Sequence, residues 1–128
     1  MAVRCLIVDD NQDFLRAAGN LLERGGIAVV GMASTGAQAS HACRELRPDV
    51  VLLDIELGEE TGFDIARQLA EQADTDKPRV ILISAYSAID FADMIADVPA
   101  VSFLPKAALS APEVLGILAR PGDLVSGS

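Results

Sequence analysis

The sequence predicts an α/β fold in which helices cover both faces of a parallel sheet. Short runs of Val, Ile, Leu and Cys recur along the chain, each as long as a strand that is buried on both faces. Between these runs, apolar residues recur at spacings of three and four, which is typical of an amphipathic helix. Strands that alternate with helices indicate parallel pairing with right-handed crossovers.

The first strand is predicted over residues 5–8, and a helix follows it. Asp10 or Asn11 is a suitable N-cap for that helix. Apolar side chains then form one face over residues 14–22. Gly25 and Gly26 end the helix, because glycine tolerates the left-handed conformation of a helix C-terminus.

The second strand is predicted over residues 27–32. Residues 34–36, Ser-Thr-Gly, indicate a turn and a helix cap. A narrow apolar stripe over residues 39–46 then predicts the second helix, which ends before Pro48.

The third strand, residues 50–54, is the clearest in the chain. Four consecutive apolar residues end in Asp54, and Pro48 marks the entry to the strand. Residues 55–62 are predicted to be a loop. Thr61 is the expected N-cap of a third helix, whose apolar face lies within residues 63–70.

The fourth and fifth strands are predicted over residues 80–84 and 101–104, and residues 88–96 between them are compatible with a fourth helix. Ser110 has Glu113 three residues further on, which is the capping-box pattern of a helix start. A fifth helix is therefore expected after Ser110.

The length and composition favour a single domain. The chain has 128 residues, of which 51% are hydrophobic, so one core is well supplied. We expect residues 1–121 to form this domain and residues 122–128 to be a C-terminal tail.

The charge of the chain opposes several kinds of partner. Lys and Arg number 10 against 19 Asp and Glu, which gives a formal net charge of −9. Nucleic acids and anionic membranes require a basic surface, so we expect no direct binding to either.

The apolar runs are too short for a signal peptide or a membrane span, which predicts a cytoplasmic protein. Two cysteines are too few for a disulfide framework.

Polar side chains follow four of the predicted strands at the point where each strand ends. They are Asp9 and Asp10, Asp54, Ser84, and Lys106. Ligands of open parallel sheets bind at the carboxyl ends of the strands, so we expect these side chains to meet in one site.

Three carboxylates brought together repel one another, and a cation relieves that repulsion. Mg²⁺ prefers oxygen ligands and usually takes one or two carboxylates. We therefore predict Asp10 and Asp54 as direct ligands of Mg²⁺ or Mn²⁺, with Asp9 bound directly or through a water. The backbone carbonyl of Glu56 is a further candidate ligand.

Asp54 also has the chemistry of a phosphoacceptor. A carboxylate is ionised at neutral pH and forms an acyl phosphate when it attacks a phosphoryl group. Such a transfer needs positioning and charge neutralisation, which Lys106 and the Ser84 hydroxyl are suited to supply. At this stage the alternatives of a turn Asp, a solvated Lys and a capping Ser remain open.

Other polar and aromatic residues near the site have simpler interpretations. Phe103 is compatible with an ordinary core position. The side chains of Glu56, Glu59 and Glu60 are typical of a solvated acidic loop, and His41 lies on a polar helix face where we expect no phosphorylation.

At these residues the sequence resembles the receiver domain of bacterial two-component response regulators, of the chemotaxis-protein-Y type. The resemblance covers nearly the whole chain. It rests on the acid pair Asp9-Asp10, on Asp54 after its apolar strand, on Thr61-Gly62, on Ser84-Ala85, and on Lys106 with Phe103 three residues before it. Residues 103–110 are most similar to receivers that are fused to a DNA-binding helix-turn-helix domain.

The resemblance implies a flavodoxin-like (βα)5 three-layer sandwich with strand order 2-1-3-4-5. It implies a sensor histidine kinase as phosphodonor, Mg²⁺ as cofactor, and no enzymatic activity beyond the chain's own phosphorylation and dephosphorylation. It also implies a switch in which Ser84 and Phe103 move together and reshape the face formed by the fourth helix, fifth strand and fifth helix. An unidentified downstream protein would bind that face, on a monomer or a phosphorylation-dependent dimer.

Two residues depart from the family pattern. Gly58 stands where the family often has Pro, four residues after the phosphoacceptor. Ala107 stands where a Pro commonly follows the lysine through a cis bond, and a non-proline cis bond costs about 3 kcal/mol, so the isomer at this position stays open. Glu56 and Tyr86, two positions beyond Asp54 and Ser84, are expected to tune the lifetime of the acyl phosphate.

Three other functions are compatible with this class of fold. A receiver-like adaptor would work without phosphorylation. A flavodoxin-type electron carrier would have a hydroxyl-rich first loop and aromatic residues around a flavin, whereas here that loop is acidic and Tyr86 is the only tyrosine. An aspartyl-nucleophile phosphatase would have an Asp-x-Asp pattern on its first strand rather than two contiguous acids.

Overall fold

Five apolar segments form one parallel sheet in the computed structural model, which describes residues 2–72, 78–85 and 101–119. The strands of this sheet, numbered along the chain, are β1 (Arg4–Val8), β2 (Ala28–Ala33), β3 (Val50–Asp54), β4 (Arg79–Ser84) and β5 (Val101–Pro105). Their order across the sheet is β2-β1-β3-β4-β5, and every neighbouring pair is parallel. The predicted order 2-1-3-4-5 is confirmed.

Four described helices accompany the sheet. They are α1 (Gln12–Arg24), α2 (Gly36–Leu46), α3 (Gly62–Gln72) and a final helix (Ala111–Ala119). The helix predicted over residues 88–96 lies outside the described residues, as do Tyr86 and the predicted tail at 122–128. Within the described part of the chain, no helix is both long enough and apolar enough to cross a membrane.

Each described helix begins at a side-chain cap that the sequence predicts. The cap oxygen accepts a hydrogen bond from the backbone N–H three residues further on, which satisfies one of the free donors of the first turn and is worth about 1 kcal/mol. The pairs are Asn11 with Phe14 (3.1 Å), Thr35 with Gln38 (3.1 Å), Thr61 with Asp64 (3.2 Å) and Ser110 with Glu113 (3.2 Å).

Two apolar layers cover the two faces of the sheet. Alternate strand residues point to opposite faces, so Leu52 packs into the layer with α1 and the final helix, whereas Leu53 packs into the layer with α2 and α3. The central strand β3 is therefore buried along its whole length, as its continuous apolar run predicts.

The loop predicted after β3 contains a small hairpin that the sequence analysis did not foresee. Glu56–Leu57 pairs antiparallel with Glu60–Thr61. Gly58 is the first residue of the two-residue turn and has φ +60°, as in a type II′ turn. Proline cannot adopt this angle, which explains how the departure at Gly58 fits the chain.

A second unpredicted element follows β5. Lys106–Ala108 forms a single 3-10 turn that leads towards the final helix. The described residues contain no cis peptide bond, so the bond between Lys106 and Ala107 is trans.

Candidate functional site

The register of the sheet brings the ends of four strands to one edge. Val8 of β1 lies opposite Leu53 of β3, so Asp9 and Asp54 follow a paired position on adjacent strands. Ser84 of β4 lies opposite Pro105 of β5, and Lys106 comes next in the chain. Residues that are far apart in the sequence therefore meet at the carboxyl edge of the sheet.

Asp9, Asp10 and Asp54 form a compact acidic cluster. One carboxylate oxygen from each lies within 4.8 Å of the others. Asp9 has no exposed surface and Asp54 is buried, whereas Asp10 is exposed. An all-oxygen donor set that is buried on one side and open to water on the other fits a hard divalent cation that keeps part of its hydration shell.

Lys106, the first residue of the 3-10 turn, extends its side chain to the acidic cluster. Its Nζ is 2.6 Å from Asp9 Oδ2 and 3.5 Å from Asp54 Oδ2, and 22% of its side chain is exposed. Burial lowers the pKa of this ammonium, but its close contact with Asp9 and the negative charges of Asp54 and Asp9 outweigh burial and leave the pKa above its ordinary value. Lys106 is therefore a permanent positive charge beside Asp54.

The pKa of the Asp54 carboxyl is raised to about 6. Burial is the largest cause and the neighbouring charge of Asp9 is the second. The ammonium of Lys106 and the backbone N–H of Glu56, which lies 3.3 Å from Asp54 Oδ1, act in the opposite direction. The two neighbouring charges therefore act oppositely on the pKa of Asp54, which the carboxylate of Asp9 raises and the ammonium of Lys106 lowers.

The other predicted site residues lie at the same edge or beside it. Ser84 is buried at the end of β4. The side chain of Glu56 is exposed and its backbone N–H faces Asp54. Phe103 is half-buried on β5 and packs against the apolar layer on the α2 and α3 side of the sheet.

Sequence reasoning missed the role of Phe14. It predicts an apolar residue on α1 at this position, and Phe14 does pack against the core. The centre of its ring also lies 4.3 Å from Lys106 Nζ, which is the geometry of a cation–π contact. No spacing in the sequence links these two residues, because the contact depends on how α1 lies against the end of β5.

Glu60 is exposed, as expected of a solvated loop charge, and it also makes a contact that the sequence did not predict. Its Oε1 accepts a hydrogen bond of 2.9 Å from the backbone N–H of Gly36, at the first turn of α2. A carboxylate at a helix N-terminus is favoured by the free N–H groups there. Glu60 therefore ties the hairpin of the β3–α3 connection to the start of α2.

Comparison with known proteins identifies relatives of the whole sheet and its site. The family model described as "Response regulator receiver domain" matches residues 5–116. The match covers β2 to β5, all of β1 except Arg4, and the residues of the carboxyl edge.

Two groups of curated relatives have different names. A protein-glutamate methylesterase/protein-glutamine glutaminase from Alkalilimnicola ehrlichii is 36% identical over 107 residues, which cover 83% of this chain and 27% of that protein. The alginate biosynthesis transcriptional regulatory protein AlgB from Pseudomonas aeruginosa is 36% identical over 103 residues, covering 80% of this chain and 22% of the relative. The chain spans about a quarter of the length of these relatives.

Solved structures of a response regulator and of a receiver domain also match this chain. A two-component response regulator of the LuxR family from Aurantimonas sp. SI85-9A1 matches with a TM-score of 0.80 at 26% identity, over 93% of this chain and 84% of that one. The signal receiver domain of the putative response regulator NarL from Mycobacterium tuberculosis matches with a TM-score of 0.78 at 28% identity, over 93% of this chain and 98% of that one.

Proposed function

This chain belongs to the response regulator receiver domain family, and we propose that it works as a phosphorylation switch with Asp54 as the phosphoacceptor. One observation carries the assignment of Asp54. It is a buried carboxylate with an ammonium 3.5 Å away, and carboxylate oxygens of two further acids lie within 4.8 Å. The nucleophilic carboxylate of Asp54 thus lies beside both a positive charge and a candidate cation site.

In the proposed reaction, a carboxylate oxygen of Asp54 forms a bond to phosphorus while the bond between phosphorus and the donor breaks. The leaving group of the donor departs with the bonding electron pair, and Asp54 becomes an acyl phosphate. Lys106 neutralises negative charge on the phosphoryl oxygens, and the hydroxyl of Ser84 donates a hydrogen bond to one of them. No base is required, because Asp54 reacts in its ionised form.

The proposed cofactor is Mg²⁺ or Mn²⁺. Asp10 and Asp54 would bind it directly, Asp9 directly or through a water, and Glu56 through its backbone carbonyl. When bound, the cation neutralises phosphoryl oxygens and orients the group for attack. Among the described residues, Lys106 is the only basic side chain that forms an ion pair with the acidic cluster, and its partners are Asp9 and Asp54.

The proposed phosphodonor is a sensor histidine kinase. Phosphorylation of Asp54 is proposed to shift Ser84 and Phe103 and to change the surface offered to a downstream protein or output domain. The curated relatives are named for methylesterase activity and for transcriptional regulation, so outputs differ within the family. We propose a regulatory module in residues 1–121, followed by a tail at 122–128, that acts in the cytoplasm and does not itself bind nucleic acid.

Phosphorylation can be tested directly. Incubation of the purified chain with acetyl phosphate and Mg²⁺ should add one phosphoryl group, as seen by intact-protein mass spectrometry, and a peptide map should place it on Asp54. Asp54→Asn and a reaction with EDTA should both prevent the addition. An unmodified wild-type mass, under conditions where a control receiver is phosphorylated, would argue against the proposal.

The family assignment removes the flavodoxin-type electron carrier from the alternatives. An adaptor that works without phosphorylation stays distinguishable by experiment. If cells that carry Asp54→Ala signal as the wild type does, the adaptor function is correct and the phosphorylation switch is not.

A further inference from the structure

We propose that Phe14 is a positioning residue, whose ring holds the ammonium of Lys106 within reach of a phosphoryl group on Asp54. The inference rests on the proposed function of Asp54 and adds a residue to it. It starts from the contact of 4.3 Å between Lys106 Nζ and the centre of the Phe14 ring.

The contact completes a closed circuit of interactions among four residues. The backbone N–H of Asn11 donates to Asp9 Oδ1 at 2.9 Å, and Asn11 Oδ1 accepts from the backbone N–H of Phe14 at 3.1 Å. The ring of Phe14 faces Lys106, and Lys106 Nζ lies 2.6 Å from Asp9 Oδ2. The helix cap at Asn11 thus fixes the first turn of α1 in register with the acidic cluster, and with it the position of the Phe14 ring.

Phe14 differs in one respect from the other partners of Lys106. Asp9 and Asp54 are members of the acidic cluster, and a divalent cation bound there competes with Lys106 for their negative charge. The face of an aromatic ring attracts an ammonium through the quadrupole of the ring. The ring carries no carboxylate, so it is not a ligand that the divalent cation would take from Lys106. The ring contact therefore persists when the ion pairs weaken, which is the state in which phosphoryl transfer takes place.

Two substitutions separate the aromatic face from simple packing. Phe14→Leu keeps an apolar side chain against the core but removes the π-face. Phe14→Tyr keeps the π-face, and Phe14 is half-buried rather than fully enclosed. Loss of the ring contact should slow phosphorylation of Asp54 by about fivefold, which corresponds to about 1 kcal/mol of transition-state stabilisation.

The experiment measures phosphorylation of the full chain by acetyl phosphate at saturating Mg²⁺. Phe14→Leu should lower the maximal rate about fivefold and leave the concentration of donor at half-maximal rate unchanged, because Lys106 acts on the transferring group. Phe14→Tyr should stay within about twofold of the wild type. In NMR spectra, the Lys106 side-chain protons of the wild type and Phe14→Tyr should show an upfield ring-current shift that Phe14→Leu lacks.

The matched control is Val29→Ala, which removes part of another half-buried side chain on the same apolar layer without touching Lys106. It should lose stability but keep the wild-type rate. The inference is wrong if Phe14→Leu reacts as fast as the wild type, if Phe14→Tyr is as slow as Phe14→Leu, or if Val29→Ala is slowed equally. A wild-type chain that accepts no phosphoryl group would overturn the proposed function itself, and is recognised without any variant.

Discussion

Lys106 Nζ lies 2.6 Å from Asp9 Oδ2, and the carboxylate of Asp9 has no exposed surface. Because water cannot solvate that carboxylate, Lys106 compensates a charge that would otherwise be expensive to bury. The same ammonium lies 3.5 Å from Asp54. Lys106 is therefore important for folding in the absence of metal, in addition to its proposed role in phosphoryl transfer.

Lys106→Ala should destabilise the metal-free protein by about 2 kcal/mol at neutral pH, since it leaves two buried carboxylates without their ammonium partner. Mg²⁺ should restore part of that loss. Urea denaturation with EDTA and with Mg²⁺ measures both effects. Arg67→Ala, which removes an exposed ion pair with Asp64, is the control and should change stability by less than about 0.5 kcal/mol. Equal stabilities of the two variants would contradict this account.

Asp54→Asn should stabilise the metal-free protein at pH 7.5 by about 2 kcal/mol. The folded-state pKa of Asp54 is raised to about 6 from an ordinary value of 3.8, so the native state binds more protons than the unfolded state between these values. Its contribution to stability is fully present below pH 3.8 and is lost as the pH rises through 6. The asparagine of Asp54→Asn cannot ionise, so the variant does not lose this stability as the pH rises.

The difference in unfolding free energy between Asp54→Asn and the wild type should therefore shrink as the pH falls from 7.5 to 4. Urea titrations in EDTA over this range measure it. Asp64→Asn, which removes an exposed acid on α3, is the matched control for the loss of one carboxylate charge. A difference that does not vary with pH would mean that the pKa of Asp54 in the native state is not raised above its value in the unfolded chain.

Mg²⁺ should raise the stability of the wild type, because a cation that binds only the folded state stabilises it by mass action. At a free concentration of about 100 times Kd, the gain is about 2.7 kcal/mol. Asp10→Ala should lose most of this gain while its metal-free stability stays near that of the wild type, since Asp10 is exposed. Asp13→Ala, another exposed acid nearby on α1, should keep the full gain. If Asp10→Ala responds to Mg²⁺ like Asp13→Ala, Asp10 is not a ligand.

The sequence predicts the elements of this fold well because its signals are local. The apolar run that ends in Asp54 sets the bounds of β3, and cap residues such as Thr61 and Ser110 set helix starts within one or two residues. The convergence of Asp9, Asp54 and Lys106 was predictable for the same reason, because parallel strands deliver their carboxyl ends to one edge.

What the sequence could not predict depends on contacts between elements. The hairpin after β3 has strands of two residues, too short to have a period, and only Gly58 hints at its turn. Phe14 of α1 contacts Lys106 of the 3-10 turn, and Gly36 of α2 donates a hydrogen bond to Glu60 of the hairpin. Each contact joins two elements that are separate in the sequence. The complete burial of Asp9 is likewise a property of the packed layers around it.

Gly62→Ala and Gly116→Ala should have effects of opposite sign, although both replace a glycine in a helix. A Cβ on Gly62 would clash with the carbonyl oxygen of Asp54 and would lie 2.9 Å from the Cα of Ile55. Backbone must shift to admit it, and the shift acts on Asp54 itself. We expect a loss of about 2 kcal/mol in stability and slower phosphorylation by acetyl phosphate.

A Cβ on Gly116 of the final helix meets no atom of the described residues within 4 Å, so alanine there brings its better helix propensity without a clash among them. Gly116→Ala should gain about 0.5–1 kcal/mol and keep the wild-type rate of phosphorylation. Urea denaturation and the acetyl phosphate reaction measure both variants side by side. A Gly62→Ala protein as stable and as reactive as Gly116→Ala would mean that the β3–α3 connection does not hold Asp54 in place, since that connection could then move without disturbing the carboxylate.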